Sequence, residues 1–281
     1  MPSTVAAGPP SGRVPSRLPR RLSPATIARY RQCPRAVYLL LVERVPRQVE
    51  PSPHLVVGNA VHGALERFFG LPLEHRSEQV LHRCLRSVWP EHRKPGSFLT
   101  VEEERAYGQQ ALGLLSEFAA RYDLALVPLS RERWVSMRLP HGAEVYGKVD
   151  RVDPAPASGG RGQVDVIDYK TGRFQVDPLD LHDEPAAQVY LLAAAERHGR
   201  PVRRVRYLYL DSGDEACWEP EQEDVDKARE ALLDITFQMH TDQEFPAHPG
   251  EHCGRCPVAH ACPDAGRVEL ADLHVDDDVV F

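Results

Sequence analysis

The chain has 281 residues, 42% of them hydrophobic and 27% charged, with a formal net charge of -7. That length suits one large domain or two small ones, and the negative balance excludes a generally basic, coat-like DNA binder, because phosphate neutralisation by Lys and Arg dominates such affinity. No run of about 18 apolar residues is present to span a membrane and the N-terminus lacks a signal peptide's apolar core, so the expectation is a cytoplasmic protein with no membrane partner.

Residues 1–20 are rich in Pro, Gly, Ser and Arg without hydrophobic periodicity, which predicts a disordered Arg/Pro-rich tail. Arg13, Arg17, Arg20, Arg21, Arg29, Arg31 and Arg35 precede any acidic residue. Ser23-Pro24 predicts a helix start, with serine as N-cap and proline in the first turn, and Pro34 restarts the helix. Pro46 and Pro51-Ser52-Pro53 form a linker. An amphipathic helix follows over 57–69, with Val61, Leu65, Phe68 and Phe69 spaced for burial and His62 one turn from Glu66. Helical spacing recurs over 76–89 and 101–122, giving a helical insertion at about 70–125 that carries no visible chemistry. Glu132 lies in a predicted strand over 131–137.

Val145-Tyr-Gly-Lys-Val-Asp-Arg-Val-Asp153 and Val164-Asp-Val-Ile-Asp-Tyr-Lys-Thr-Gly172 read as two strands, joined by a Pro/Gly/Ser-rich loop over 154–162. A strand places residues two apart on one face, so Asp168 and Lys170 point the same way. Asp150 lies beside them if the strands pair. Two carboxylates and an ammonium suit metal-assisted phosphodiester hydrolysis: carboxylates hold Mg²⁺ or Mn²⁺, which lowers the pKa of bound water, and a lysine stabilises the charge of the transition state.

Gly147-Lys-Val-Asp-Arg151 followed by Val166-Ile-Asp-Tyr-Lys-Thr-Gly172 resembles the PD-(D/E)XK nuclease core, in the form found in RecB-type exonucleases and CRISPR adaptation nucleases. Val149 stands where the superfamily's name has proline. The resemblance implies Asp150 and Asp168 as metal ligands, Lys170 as the catalytic lysine, and a restriction-endonuclease-like mixed sheet flanked by helices. Gly58-x3-His62 is similar to the RecB-type helix whose histidine reaches the metal, which adds His62 as a ligand. Glu132 matches a glutamate common in the family, although a surface strand glutamate would look the same.

Beyond the hairpin, a helix over 184–196 resembles the family's Gln-x3-Tyr helix. Gln188 fits a catalytic position, but Leu192 stands where the tyrosine would be and Tyr190 comes two residues early. A strand over 202–210 carries Arg203, Arg204 and Arg206, which suit either phosphate contact or a solvated strand edge. The last long helix is expected over 221–240.

Cys253, Cys256 and Cys262 form a Cys-x2-Cys-x5-Cys cluster. Zinc completed by His252 or His260 is one reading. Cys33, Cys256 and Cys262 are each followed by proline, as in ferredoxin-like ligation. One early Cys-Pro and a late triplet around the core resemble the iron-sulfur nucleases of the AddB and CRISPR adaptation type, which implies a [4Fe-4S] cluster on Cys33, Cys253, Cys256 and Cys262. Cys84 and Cys217 stand outside it.

The resulting expectation is a single nuclease domain over 21–264, its two ends joined at the cluster, with an acidic tail over 265–281. Its activity would be Mg²⁺- or Mn²⁺-dependent DNA exonuclease action on single strands or frayed ends, in repair, recombination or CRISPR adaptation. A helicase or CRISPR adaptation partner would act in trans, since the chain has no phosphate-binding Gly-x4-Gly-Lys loop. The competing reading is a catalytically silent nucleic-acid-binding scaffold.

Overall fold

The computed structural model describes residues 17–48, 52–158, 161–172 and 175–265. Its elements are β1 (Arg21–Leu22), α1 (Pro24–Gln32), α2 (Pro34–Leu41), α3 (Pro53–Phe69), α4 (Glu78–His92), α5 (Val101–Arg121), β2 (Ser130–Arg138), β3 (Glu144–Ser158), β4 (Arg161–Lys170), α6 (Pro185–His198), β5 (Val202–Tyr209), β6 (Glu215–Trp218) and α7 (Gln222–Thr241). The strands form one mixed sheet: β3 pairs antiparallel with β2 and β4, β4 runs parallel to β5, and β6 closes that end antiparallel to β5. This is an α/β fold with a mixed sheet flanked by helices, as expected.

Period-2 alternation divides the sheet between two cores. Val164 and Val166 of β4 and Val205, Tyr207 and Tyr209 of β5 pack with α1, α6 and α7, whereas Ile167, Tyr169 and Leu208 pack under α3, α4 and α5. α6 is buried on almost every side, from Ala187 through Ala194, because it crosses between the parallel strands β4 and β5 within the first core. The helical insertion supplies the second core with Leu81, Leu85, Leu114, Leu115 and Phe118.

Local start signals act as the sequence predicts. Ser23 accepts the amide of Thr26, and Pro34 opens α2 directly after α1. Pro53 opens α3 four residues before the expected boundary.

Three expectations change. Residues 17–20 are packed: Leu18 is buried, the amide of Glu144 donates to the carbonyl of Arg20 at 2.8 Å, and the His240 ring lies 3.2 Å from the Pro19 carbonyl. Partners distant in sequence supply that order, so composition does not reveal it. The remainder of the predicted N-terminal tail, residues 1–16, and the acidic tail from 266 onward lie outside the described residues.

The expected loop over 154–162 is mostly strand, with Pro154 opposite Val164 and Ala155 opposite Gln163. Pairing between β2 and β3 ends at Val152, whose carbonyl takes the Leu129 amide. Beyond it, among the described residues, one edge of β3 has no partner strand, and a proline there forfeits no ladder bond.

Finally, β5 lies between β4 and β6 and is not an edge. Arg203 forks onto Asp165 and Arg206 onto Glu215, while Arg204 pairs with Glu219 at 2.6 Å. These arginines are committed to carboxylates.

Candidate active site

The site forms where two paired strands part. Backbone pairing of β3 and β4 ends at Arg151 opposite Ile167, and two residues further along β4 the Tyr169 N–H donates to Asp150 Oδ2 at 2.7 Å. A carboxylate has replaced a backbone acceptor. β4 meanwhile keeps its partner β5 as far as Lys170 opposite Tyr209, so the opening lies on the β3 side alone.

On the α6 side of β4, Asp168 and Lys170 form an ion pair at 2.5 Å, with Lys170 Nζ 4.1 Å from the centre of the Tyr207 ring. The same-face placement read from the Asp-x-Lys spacing is present. Burial would lower the Lys170 ammonium's pKa, but the adjoining Asp168 carboxylate outweighs it and keeps the lysine charged.

On the opposite side, α3 delivers His62. Its Nδ1 lies 3.2 Å from Asp150 Oδ1 and 3.6 Å from Glu132 Oε1. One ligand atom from each of His62, Glu132 and Asp150 falls within 4.8 Å of the others. Gly58, one turn earlier on α3, lies close to the end of β4: a Cβ there would stand 3.1 Å from Thr171 Oγ1.

The electrostatics follow from crowding. Burial and the nearby charge of Asp168 raise the Asp150 pKa, against the opposing pull of His62. Burial acts to lower that of His62, but hydrogen bonds to Asp150 and Glu132 prevail and raise it well above the usual imidazole value. Glu132 is held below the carboxylate range: burial pushes it up, and His62 and Lys148, with which it forms an ion pair, pull it down more.

Glu132 also adopts a positive φ of 44°, in the left-handed region that side chains avoid. Strained backbone of this kind clusters at functional sites. The kink lies opposite Asp150, between the flanking pairs Arg131 with Arg151 and Arg133 with Val149. Two carboxylates and an imidazole fit a hard divalent cation such as Mg²⁺ or Mn²⁺, with room for water ligands in an adjoining cavity of about 480 Å³ whose lining includes Lys148, Glu66 and His92.

Of the expected ligands, His62 and Asp150 fall in this close group together with Glu132. Asp168 lies near enough to raise Asp150 but stands outside the His62–Glu132–Asp150 group. Glu132 joins that group, and the cross-strand register opposite Asp150, invisible until the strands pair, is the signal that would have singled it out. Gln188 is buried; its Nε2 donates to the His182 carbonyl at 2.9 Å and its Oε1 is unpartnered, so no hydrogen bond joins it to the carboxylates. Tyr190, which the sequence motif leaves doubtful, packs beneath Gly147, where a Cβ would come within 2.7 Å of its ring, and its hydroxyl donates to the Lys148 carbonyl at 3.0 Å.

A second constellation lies at the chain ends. Cys33, the residue between α1 and α2, packs in a small apolar cluster with Ala36, Leu39 and Val258, against which Cys256 and Cys262 rest. The Arg35 amide donates to the Pro246 carbonyl at 3.1 Å, and that of Gln48 to Pro257 at 2.8 Å, tying the two ends together. Cys33, His252 and Cys256 line one cavity of about 480 Å³. None of the six cysteines is in a disulfide, and Cys84 and Cys217 lie elsewhere, in the insertion core and on β6.

A family model described as the PD-(D/E)XK nuclease superfamily matches residues 21–263, nearly the whole described chain. The chain belongs to the PD-(D/E)XK nuclease superfamily. For a member of this superfamily a nucleic acid is the implied substrate, and the parted β3–β4 pair, with its carboxylates and lysine, is the candidate active site. Among solved structures, the nuclease chain is similar to a candidate exonuclease from Eubacterium rectale at 14% identity and a TM-score of 0.49, covering 78% of this chain and 80% of that one. It is also similar to a protein named SSO0001, at 12% identity and a TM-score of 0.39, over 88% and 87% of the two chains. No curated protein matches it. Among the described residues no helix is long and apolar enough to cross a membrane.

Proposed function

We propose that the chain is a Mg²⁺- or Mn²⁺-dependent deoxyribonuclease of the RecB type, acting from the ends of DNA in repair, recombination or CRISPR adaptation. The observation that carries this reading is the convergence of His62, Glu132 and Asp150 on one point, beside the Asp168–Lys170 pair at the opened strand edge.

Asp150 and Glu132, with His62, would hold the divalent ion, and Asp168 would complete its carboxylate set from β4. The ion, when bound, lowers the pKa of a coordinated water and neutralises phosphoryl charge. Lys170 holds a positive charge against Asp168 and the Tyr207 ring, where it orients the attacking water and steadies the developing oxyanion. Tyr190 keeps its proton, because burial and the charges of Asp168 and Asp150 oppose ionisation, and it braces β3 through the Lys148 carbonyl. Gln188 anchors the start of α6 and so positions Tyr190.

In the same reading the domain runs over 21–264, and Cys33, Cys253, Cys256 and Cys262 bind a [4Fe-4S] cluster as a structural staple. Support comes from Cys33 meeting Cys256 and Cys262 across the chain. One observation favours zinc instead: His252 Nε2 is buried without a hydrogen-bond partner, in the cavity that Cys33 and Cys256 line, as a fourth ligand of a Cys3His site would be.

The experiment is to purify the protein without oxygen, record its visible spectrum, and incubate it with end-labelled single- and double-stranded DNA and RNA, with Mn²⁺ or EDTA. Metal-dependent loss of nucleotides from DNA ends is expected. Binding without metal-dependent cleavage would support the scaffold reading and remove the enzymatic one.

A further inference from the structure

Among the described residues, no helix covers the outer face of the β2–β3 ribbon at Trp134, which is 60% exposed. The inner face is fully used, with Val135, Met137, Val145 and Val149 all buried in the first core. On the outer face the register places Trp134 opposite Lys148 and Ser136 opposite Tyr146, one and two tiers from Glu132 and Asp150. A tier on one strand face rises about 6.6 Å, so the row runs about 13 Å from the metal-binding carboxylates.

The row is continuous. Lys148 pairs with Glu132 and lines the catalytic cavity; Trp134 and Tyr146 lie with ring centres 5.6 Å apart; Arg21 of β1 sits 4.5 Å over the Tyr146 ring and pairs with Glu144 at 3.2 Å. Both carboxylates along it, Glu132 and Glu144, are thus paired with cations. Trp134 remains 60% exposed, as does the Arg21 side chain. A cross-strand aromatic pair steadies a ribbon by roughly 0.2–1 kcal/mol, which does not by itself account for a large indole left in solvent between two cations.

We propose that Trp134, Tyr146, Arg21 and Lys148 form a track for single-stranded nucleic acid leading into the catalytic cavity. This deepens, and rests on, the nuclease reading. The ring of Trp134 offers a face to an unpaired base, and the cations flank it at positions suited to phosphates, the combination by which single strands are bound without sequence preference. A duplex hides its base faces and is held by phosphate neutralisation, which a net charge of -7 does not favour for the chain as a whole. The track ends at Lys148, so a strand lying on it delivers its terminus to the carboxylates.

The test reads binding and not cleavage. In EDTA, the affinity of the full chain for a fluorescent oligothymidine of about 12 nucleotides and for a duplex of the same length is measured by anisotropy. Trp134→Ala should weaken single-strand binding roughly tenfold, Trp134→Phe should restore most of it, and duplex binding should move by less than about twofold. Arg21→Ala should flatten the salt dependence of single-strand binding by about 0.7 of a log unit per log unit of salt. Single-strand binding by Trp134→Ala equal to wild type, in a protein that still cleaves DNA, overturns the track and leaves the nuclease reading standing. A wild-type dimer in sedimentation that Trp134→Ala dissociates would assign this face to self-association and also overturns it. A wild-type chain that neither binds nor cleaves any nucleic acid overturns both.

Discussion

Asp168 and Lys170, two residues apart on one strand, form an ion pair at the opened strand edge. Asp168→Ala and Lys170→Ala should each lower metal-dependent cleavage by at least about a hundredfold, the scale of losing one positioned electrostatic group, with the circular dichroism spectrum unchanged. Wild-type turnover by Asp168→Ala would show that the active site lies elsewhere. Gly147 makes a different kind of demand. A methyl group there would meet the Tyr190 ring at 2.7 Å, in a core where neither β3 nor α6 has room to retreat. Gly147→Ala should cost about 1–3 kcal/mol of stability, read as a lowered denaturation midpoint, through overpacking and not through lost chemistry. An unchanged midpoint would mean that Tyr190 moves freely and does not brace the motif strand.

Among the elements, α6 contributes most to the first core while carrying little chemistry of its own. Leu191 is 1% exposed within it, against the sheet that holds the candidate active site. Leu191→Ala should destabilise the protein by about 2–5 kcal/mol, yet the fraction that remains folded should cleave with near-wild-type kcat, because no reacting group is touched. Separate measurement of denaturant midpoint and kcat at low temperature distinguishes the two effects. α3 plays the opposite part: it contributes Val57, Val61, Leu65 and Phe68 to the second core and presents His62 to the carboxylates from the same helix. His62→Ala should leave that core intact and raise the Mn²⁺ concentration needed for half-maximal activity.

For the molecule as a whole, the two chain ends meet at the cysteines, and holding them there closes a loop of more than two hundred residues. Loop-closure entropy gives such a cross-link an effect on the order of 5 kcal/mol. If the staple is a [4Fe-4S] cluster, anaerobic protein should be brown, with broad absorption near about 400 nm and about four irons per chain. Cys33→Ser should then lose both colour and thermal stability, since a hydroxyl is a poor replacement for a thiolate. Cys84→Ser and Cys217→Ser should keep the colour. A colourless wild-type protein with one zinc, still metal-replete as Cys33→Ser, would instead confine the metal to the C-terminal segment.

The sequence by itself determined what local chemistry controls. Ser23, Pro24 and Pro34 set helix starts, the period-2 spacing of Asp168 and Lys170 put them on one face, and the apolar spacing of Val61, Leu65 and Phe68 made α3 amphipathic, because propensity, capping and periodicity act over a few residues. The superfamily was also legible there, since its motif lies in two short contiguous runs. Only the tertiary structure decided the rest. Glu132 joined His62 and Asp150 because β2 pairs with β3 in one register, Tyr190 gained its place because Gly147 admits it, and Pro154 entered a strand because β2 stops short of it. Residues 17–20 gained order from β3 and α7, and Cys33 met Cys256 across most of the chain. Each of these depends on a partner far away in sequence, and contacts of that kind exist only once the chain has closed on itself.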